Sequence, residues 1–109
     1  MRSIKVYNND VLAGVLQELS PTEYVFRYED DYFCNPSMGS ISLTLPKSQQ
    51  EYRDSHIFPF FTNMLPEGGN RRLWCRKHRV DENDFFGMLM MVRGADFIGA
   101  INLKWVWQH

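Results

Sequence analysis

One α+β domain is predicted, with a small antiparallel, barrel-like sheet of about five strands and two to three helices inserted before the last strand. Three features of the sequence lead to this fold class. Apolar residues follow a two-residue period through the first half, recur at spacings of three and four in the middle, and return to a two-residue period after Ala100. A chain of 109 residues is long enough for one modest core and no second one, so residues 1–109 are expected to form a single domain.

The elements follow in order. Ile4 to Tyr7 and Val11 to Leu19 flank Asn8-Asn9-Asp10, residues that tolerate positive φ, and so read as a β-hairpin ending before Ser20-Pro21. Tyr24, Phe26 and Tyr28 alternate with Glu23, Val25 and Arg27. Ile41, Leu43 and Leu45 alternate with Ser42 and Thr44, and Pro46 ends that run. These give a third and a fourth strand. Between them, residues 29–40 have loop composition, with Glu29-Asp30-Asp31, Asn35-Pro36 and Gly39. Lys47 to Asp54 is polar and expected to be exposed. Phe58, Phe61, Thr62 and Leu65 fit a short helix with one buried face and Pro59 in its first turn. Pro66 and Glu67 suit the first turn of a second helix, running to about His78. Asp81 is placed as the N-cap of a third, whose Phe85, Met88, Leu89 and Val92 share a face. Ile101, Leu103, Trp105 and Trp107 then form the apolar side of a last strand.

Composition narrows the function classes. Apolar residues make up 44%, and eight Phe, five Tyr and three Trp give an aromatic core rather than a disordered chain. Twelve basic and 13 acidic side chains leave a formal charge of −1, without the field by which a stand-alone nucleic-acid binder attracts phosphates. Direct nucleic-acid contact is therefore not expected. No apolar run approaches the ~18 residues of a membrane span, and no charged start, apolar run and cleavage site opens the chain. A cytoplasmic setting is expected, with Cys34 and Cys75 as free thiols.

No catalytic, cofactor or metal site is expected. Gly68-Gly69 beside Arg71 and Arg72 lacks the glycine spacing and the Lys with Ser or Thr of a phosphate loop, and is read as a helix start. His56, His78 and His109 have no metal-ligand spacing. Cys75 lies beside Arg76, Lys77 and His78 but lacks an identifiable orienting group. Glu29-Asp30-Asp31 reads as a solvated turn. The basic run from Arg71 to Arg79 could meet nucleic acid, an acidic protein surface or only water, and with its charge offset by Asp81, Glu82 and Asp84 a solvated face is the expectation. Trp74, in a helix with few other apolar positions, either fills the core or stands on the surface as a contact anchor. Trp105 and Trp107 read as core, or as a docking surface if their strand is an edge.

The segment Phe60-Phe61-Thr62-Asn63-Met64-Leu65-Pro66-Glu67-Gly68, with Gly94-Ala95-Asp96-Phe97-Ile98-Gly99-Ala100, resembles the N-terminal subdomain of HipA-type kinase toxins. Thr62 and Met64 depart from that family's pattern, whereas Asp96, Gly99 and Ala100 match it. The resemblance covers nearly the whole chain and leaves no room for a kinase. It implies a domain that packs against a Ser/Thr kinase without a catalytic residue of its own. In tripartite systems the detached subdomain is the HipS antitoxin, which binds and neutralises a separate HipT kinase, while HipB supplies a DNA-binding helix-turn-helix. The resemblance therefore implies a HipT-like kinase as partner and a HipB-like protein reached through the complex. Docking near the kinase's ATP-binding cleft is expected, with Trp74, Arg71, Arg72, Lys77, Glu67 and Gly68 as contact residues; for the motif residues Pro66, Glu67, Gly68, Asp96 and Gly99 the alternative is a role in folding of the subdomain rather than contact. The alternative is an N-terminal scaffold piece of a single-chain toxin, without inhibition.

Overall fold

Asn9 and Asp10 both take positive φ, 49° and 67°, which is the geometry of a two-residue turn whose twist matches that of the strands it joins. That turn closes β1 (Arg2–Asn8) onto β2 (Val11–Ser20) in antiparallel register, Asn8 opposite Val11 and Arg2 opposite Glu18. The computed structural model describes residues 2–91 and the backbone of residues 101–106. β3 (Glu23–Tyr28) pairs with β2, β4 (Glu51–Asp54) with β3, and β5 (Ile101–Val106) with the free side of β1. The order is β4-β3-β2-β1-β5, so the five-stranded antiparallel sheet is open, with β4 and β5 at its two edges. The expected strand number is found; the barrel-like closure is not.

The fourth strand is not where alternation placed it. Residues 41–45 form a turn instead: the Leu45 amide donates to the Ser42 carbonyl at 3.2 Å and the Thr44 amide to Ser42 Oγ at 3.1 Å. Ile41 and Leu45 are buried while Leu43 is 99% exposed, so the alternating apolar residues do not share a face. The serine and threonine hydroxyls satisfy backbone groups locally and compete with a ladder. Pairing falls instead to the charged segment Glu51–Asp54, a composition that protects a sheet edge from further strand addition.

The loop before it contains a one-and-a-half-turn helix, α1 (Asp30–Cys34), held by two tyrosines. Tyr28 and Tyr32 stack with ring centroids 5.7 Å apart. The Tyr28 hydroxyl donates to the Leu45 carbonyl and accepts from the Ile41 amide at 3.1 Å, and Tyr32 donates to the Gly39 carbonyl at 2.5 Å. Lys47 Nζ reaches the carbonyls of Asn35 and Met38, both at 2.7 Å. A segment with loop composition is thereby fixed to the sheet.

Ile4, Val6, Leu16, Tyr24, Phe26 and Tyr28 supply the core face of the sheet. The helices cover it: α2 (Pro59–Thr62), α3 (Gly68–His78) and α4 (Phe85–Met91). Phe58, Phe61 and Leu65 are buried as their spacing predicts, and Phe61 meets the Phe26 ring at 5.7 Å. Two helix starts differ from expectation. Pro66 and Glu67 precede α3, with Glu67 as an extended N-cap, and α4 is capped by Asp84, whose Oδ1 accepts from the Gly87 amide at 3.1 Å. Asp81 instead closes the preceding turn, accepting from the Asn83 amide at 2.8 Å. The three-residue shift turns Phe86 inward and leaves Phe85 37% exposed. Gly87 is required there, because a Cβ would collide with the Asp84 carboxylate. Val92, the Gly94–Ala100 motif, Trp107 and His109 lie outside the described residues.

Candidate partner-binding surface

Among the described residues α3 is the longest helix, and glycine at one end and a left-handed residue at the other set its bounds. Gly68 opens it at φ +59°, a left-handed value that glycine adopts without the Cβ penalty of other residues. At the far end Arg79 is left-handed, and the amides of Arg79 and Val80 both donate to the Cys75 carbonyl, the latter at 3.0 Å. Arg76, Lys77 and His78 in the last turn suit the negative end of the helix dipole.

Cys75 is the only fully buried residue of α3, and burial pushes its thiol pKa up, against thiolate formation. Nucleophilic chemistry at Cys75 is disfavoured on that ground. Cys34 is exposed, and both cysteines are free, as expected.

Trp74 satisfies neither of its two sequence readings fully. It is half-buried, packs against the core cluster, and stacks on His78 with ring centroids 4.2 Å apart; His78 Nδ1 lies 2.9 Å from the Trp74 carbonyl, where it donates. The indole therefore sits at the border between core and solvent. Of the other residues expected at a contact surface, Arg71 turns away from the run of charges: its Nε donates to the Pro66 carbonyl at 2.9 Å and its guanidinium lies 5.1 Å from the Phe85 ring centre. Together with Glu67 it lines a cleft of about 420 Å³, which also takes in His56, Thr62, Asn63 and Phe85. Gly68, Arg72 and Lys77 are exposed. The structure thus gathers the predicted residues on one helix but divides them between a cleft and an outer face.

A second cleft of about 390 Å³ adjoins the first, sharing Pro21, Tyr24, Ile57 and Phe85. Its wall holds a charged cluster that sequence reasoning missed. Arg2 Nε and Nη2 donate to Glu18 at 2.8 and 2.9 Å, and Nη1 and Nη2 to Asp84 at 3.0 and 2.9 Å. The guanidinium lies 5.1 Å from the Phe86 ring centre, and the Tyr24 hydroxyl donates to Glu18 at 3.3 Å. Hydrogen bonding from Arg2 holds the Asp84 carboxyl below its ordinary range, and burial, with the Glu18 charge second, raises Tyr24. These shifts belong to a clamp tying β1 to α4. Each carboxylate is held by a guanidinium, which leaves neither as a general base.

Asp54, Ser55 and His56 resemble a catalytic triad in composition only. Ser55 Oγ and Asp54 Oδ1 both approach the same ring nitrogen, Nδ1, at 3.0 and 3.9 Å, and the His56 side chain is 89% exposed. A relay needs the two partners on opposite nitrogens. In the acidic segment Asp30 pairs with Arg27 at 3.1 Å, and no group of three or more His, Cys, Asp or Glu that could hold a metal occurs among the described residues. No helix among them is long and apolar enough to cross a membrane.

An open antiparallel sheet with helices inserted ahead of the strand that completes it defines a small α+β domain. The chain belongs to the HipA N-terminal domain family, whose profile matches residues 4–104. A Haemophilus influenzae protein described only as uncharacterized is 30% identical over 104 residues, spanning 95% of this chain and 92% of its own length. A solved structure described as the N-terminal domain of HipA toxin shares the fold with a TM-score of 0.73 at 26% identity, covering 100% of this chain and 96% of that one. The matched family is the N-terminal domain of the toxin and not its kinase domain.

Proposed function

We propose that this protein is a HipS-like antitoxin that binds a HipT-like Ser/Thr kinase and neutralises it by docking near the ATP-binding cleft, without chemistry of its own. The observation that carries this reading is the size of the relative. The chain covers 92% of the H. influenzae protein, so a protein of the family exists at about the length of this domain alone. A domain that packs against a kinase when fused to it retains the surface for doing so when separate. Trp74 is the anchor of the contact, with Arg71, Arg72, Lys77, Glu67 and Gly68 around it. A half-buried indole already held by His78 loses little side-chain freedom on binding, which favours it as a hot spot. A HipB-like protein joins through the kinase rather than through this chain.

The test is growth of cells expressing a HipT-like kinase encoded beside this protein, with and without this protein, together with co-purification of the two. Rescue with co-purification is expected, and Trp74→Ala is expected to abolish rescue while the circular dichroism spectrum stays native. Full rescue by a folded Trp74→Ala protein would remove the anchor. A second reading, a scaffold without inhibition, is favoured by the solved structure of this fold being a domain of a toxin. Co-purification without rescue would establish it.

A further inference from the structure

We infer that the outer face of α3, carrying Leu73, Arg76 and Lys77 with Arg72 on its flank, extends the contact with the kinase beyond Trp74, and that it docks on a carboxylate-bearing protein face with an apolar notch for Leu73. This inference rests on the proposed kinase partner and names the chemistry of the contact. In sequence, Asp81, Glu82 and Asp84 directly follow the basic run and would neutralise it. In the structure they do not. Asp84 faces Arg2, Asp81 caps its own turn, and only Glu82 reaches back, to Arg72 at a loose 3.9 Å. Arg76, Lys77 and Arg79 have no acidic partner among the described residues.

The same face carries Leu73, 63% exposed. Leu73 lies three residues before Arg76 and four before Lys77, so the three side chains are neighbours on the helix surface. Eleven residues of helix make a ridge of about 16 Å, the scale of one helix laid against a partner. Cations without local partners around an exposed aliphatic residue complement carboxylates around an apolar depression. A nucleic acid fits the face poorly. The formal charge of the chain is −1, and phosphates offer nothing to Leu73.

The experiment measures the dissociation constant for the purified neighbouring kinase by titration calorimetry at 0.15 and 0.5 M NaCl. It compares the unmodified protein with Arg76→Glu/Lys77→Glu and with Leu73→Ser. Arg53→Glu on β4 serves as a charge-change control. Tenfold or greater weakening is expected for the double reversal, with most of the salt dependence removed, and several-fold weakening for Leu73→Ser; Arg53→Glu should bind as the unmodified protein does. All replaced side chains are exposed, and a native thermal melt confirms folding for each variant. Tight binding by the folded double variant would overturn this surface while leaving the antitoxin reading intact. Failure of the unmodified protein to bind would overturn both. Binding of a labelled 20-base-pair DNA duplex that the double reversal abolishes would assign the face to nucleic acid and overturn the inference.

Discussion

Removing the Asp84 carboxylate tests whether the Arg2 clamp holds α4 on the sheet. Two contributions are lost in Asp84→Ala. The N-cap hydrogen bond to the Gly87 amide stabilises by about 1 kcal/mol. The two-pronged contact with Arg2 involves side chains 33% and 39% exposed, so solvent screening limits it to about 0.5–1 kcal/mol. The total is about 2 kcal/mol, a fall in melting temperature of roughly 8–10 °C for a domain of this size. Asp84→Asn separates the two terms, because asparagine caps nearly as well but carries no charge; it should cost only the ion-pair part. The pH dependence has a definite sign. Asp84 titrates below its ordinary 3.8 in the folded state, so its contribution is fully present above that value and is lost as pH falls through the folded pKa. Urea denaturation followed by circular dichroism at pH 7 and pH 3 should therefore show a gap between the unmodified protein and Asp84→Asn that narrows in acid. Equal losses for Asn and Ala at pH 7, or a gap that widens in acid, would refute the clamp.

Three further outcomes are expected. Tyr28→Phe removes a buried hydroxyl that serves both the Leu45 carbonyl and the Ile41 amide, and should cost about 1–3 kcal/mol in urea unfolding, with faster amide exchange across residues 41–45. Gly68→Ala meets no steric neighbour but forces a left-handed backbone on alanine, so a loss of about 1 kcal/mol is expected, and no loss would mean the helix start rearranges freely. In thiol titration with a chromogenic disulfide at pH 8, Cys34 should react within minutes and Cys75 only on unfolding, since it is buried with its pKa raised; two fast thiols would contradict that placement.

Local signals in the sequence were reliable wherever the backbone decided the outcome within a few residues. Asn9-Asp10 could only make its turn by taking positive φ at both positions, and of the four residues selected by the spacing of Phe58, Phe61, Thr62 and Leu65, three are buried and Thr62 is half-buried. The misreadings arose where two local solutions satisfied the same pattern. Ile41 and Leu45 can be brought inside by a strand or by a turn that leaves Leu43 out, and the choice was made by hydroxyls at Ser42 and Thr44 and by Tyr28 from another strand. Asp81 and Asp84 are both good caps. Asp84 takes the role because a glycine three residues on leaves room for its carboxylate.

The basic run of α3 shows why composition along the chain is a poor guide to charge on the surface. Counted in sequence, three carboxylates within five residues of Arg79 cancel most of the run. Counted in space, one of the three is held by Arg2, 82 residues away, and a second by a backbone amide in its own turn. A contact of that sequence separation has no signature in periodicity or spacing, yet it takes Asp84 out of the carboxylates that could offset the run.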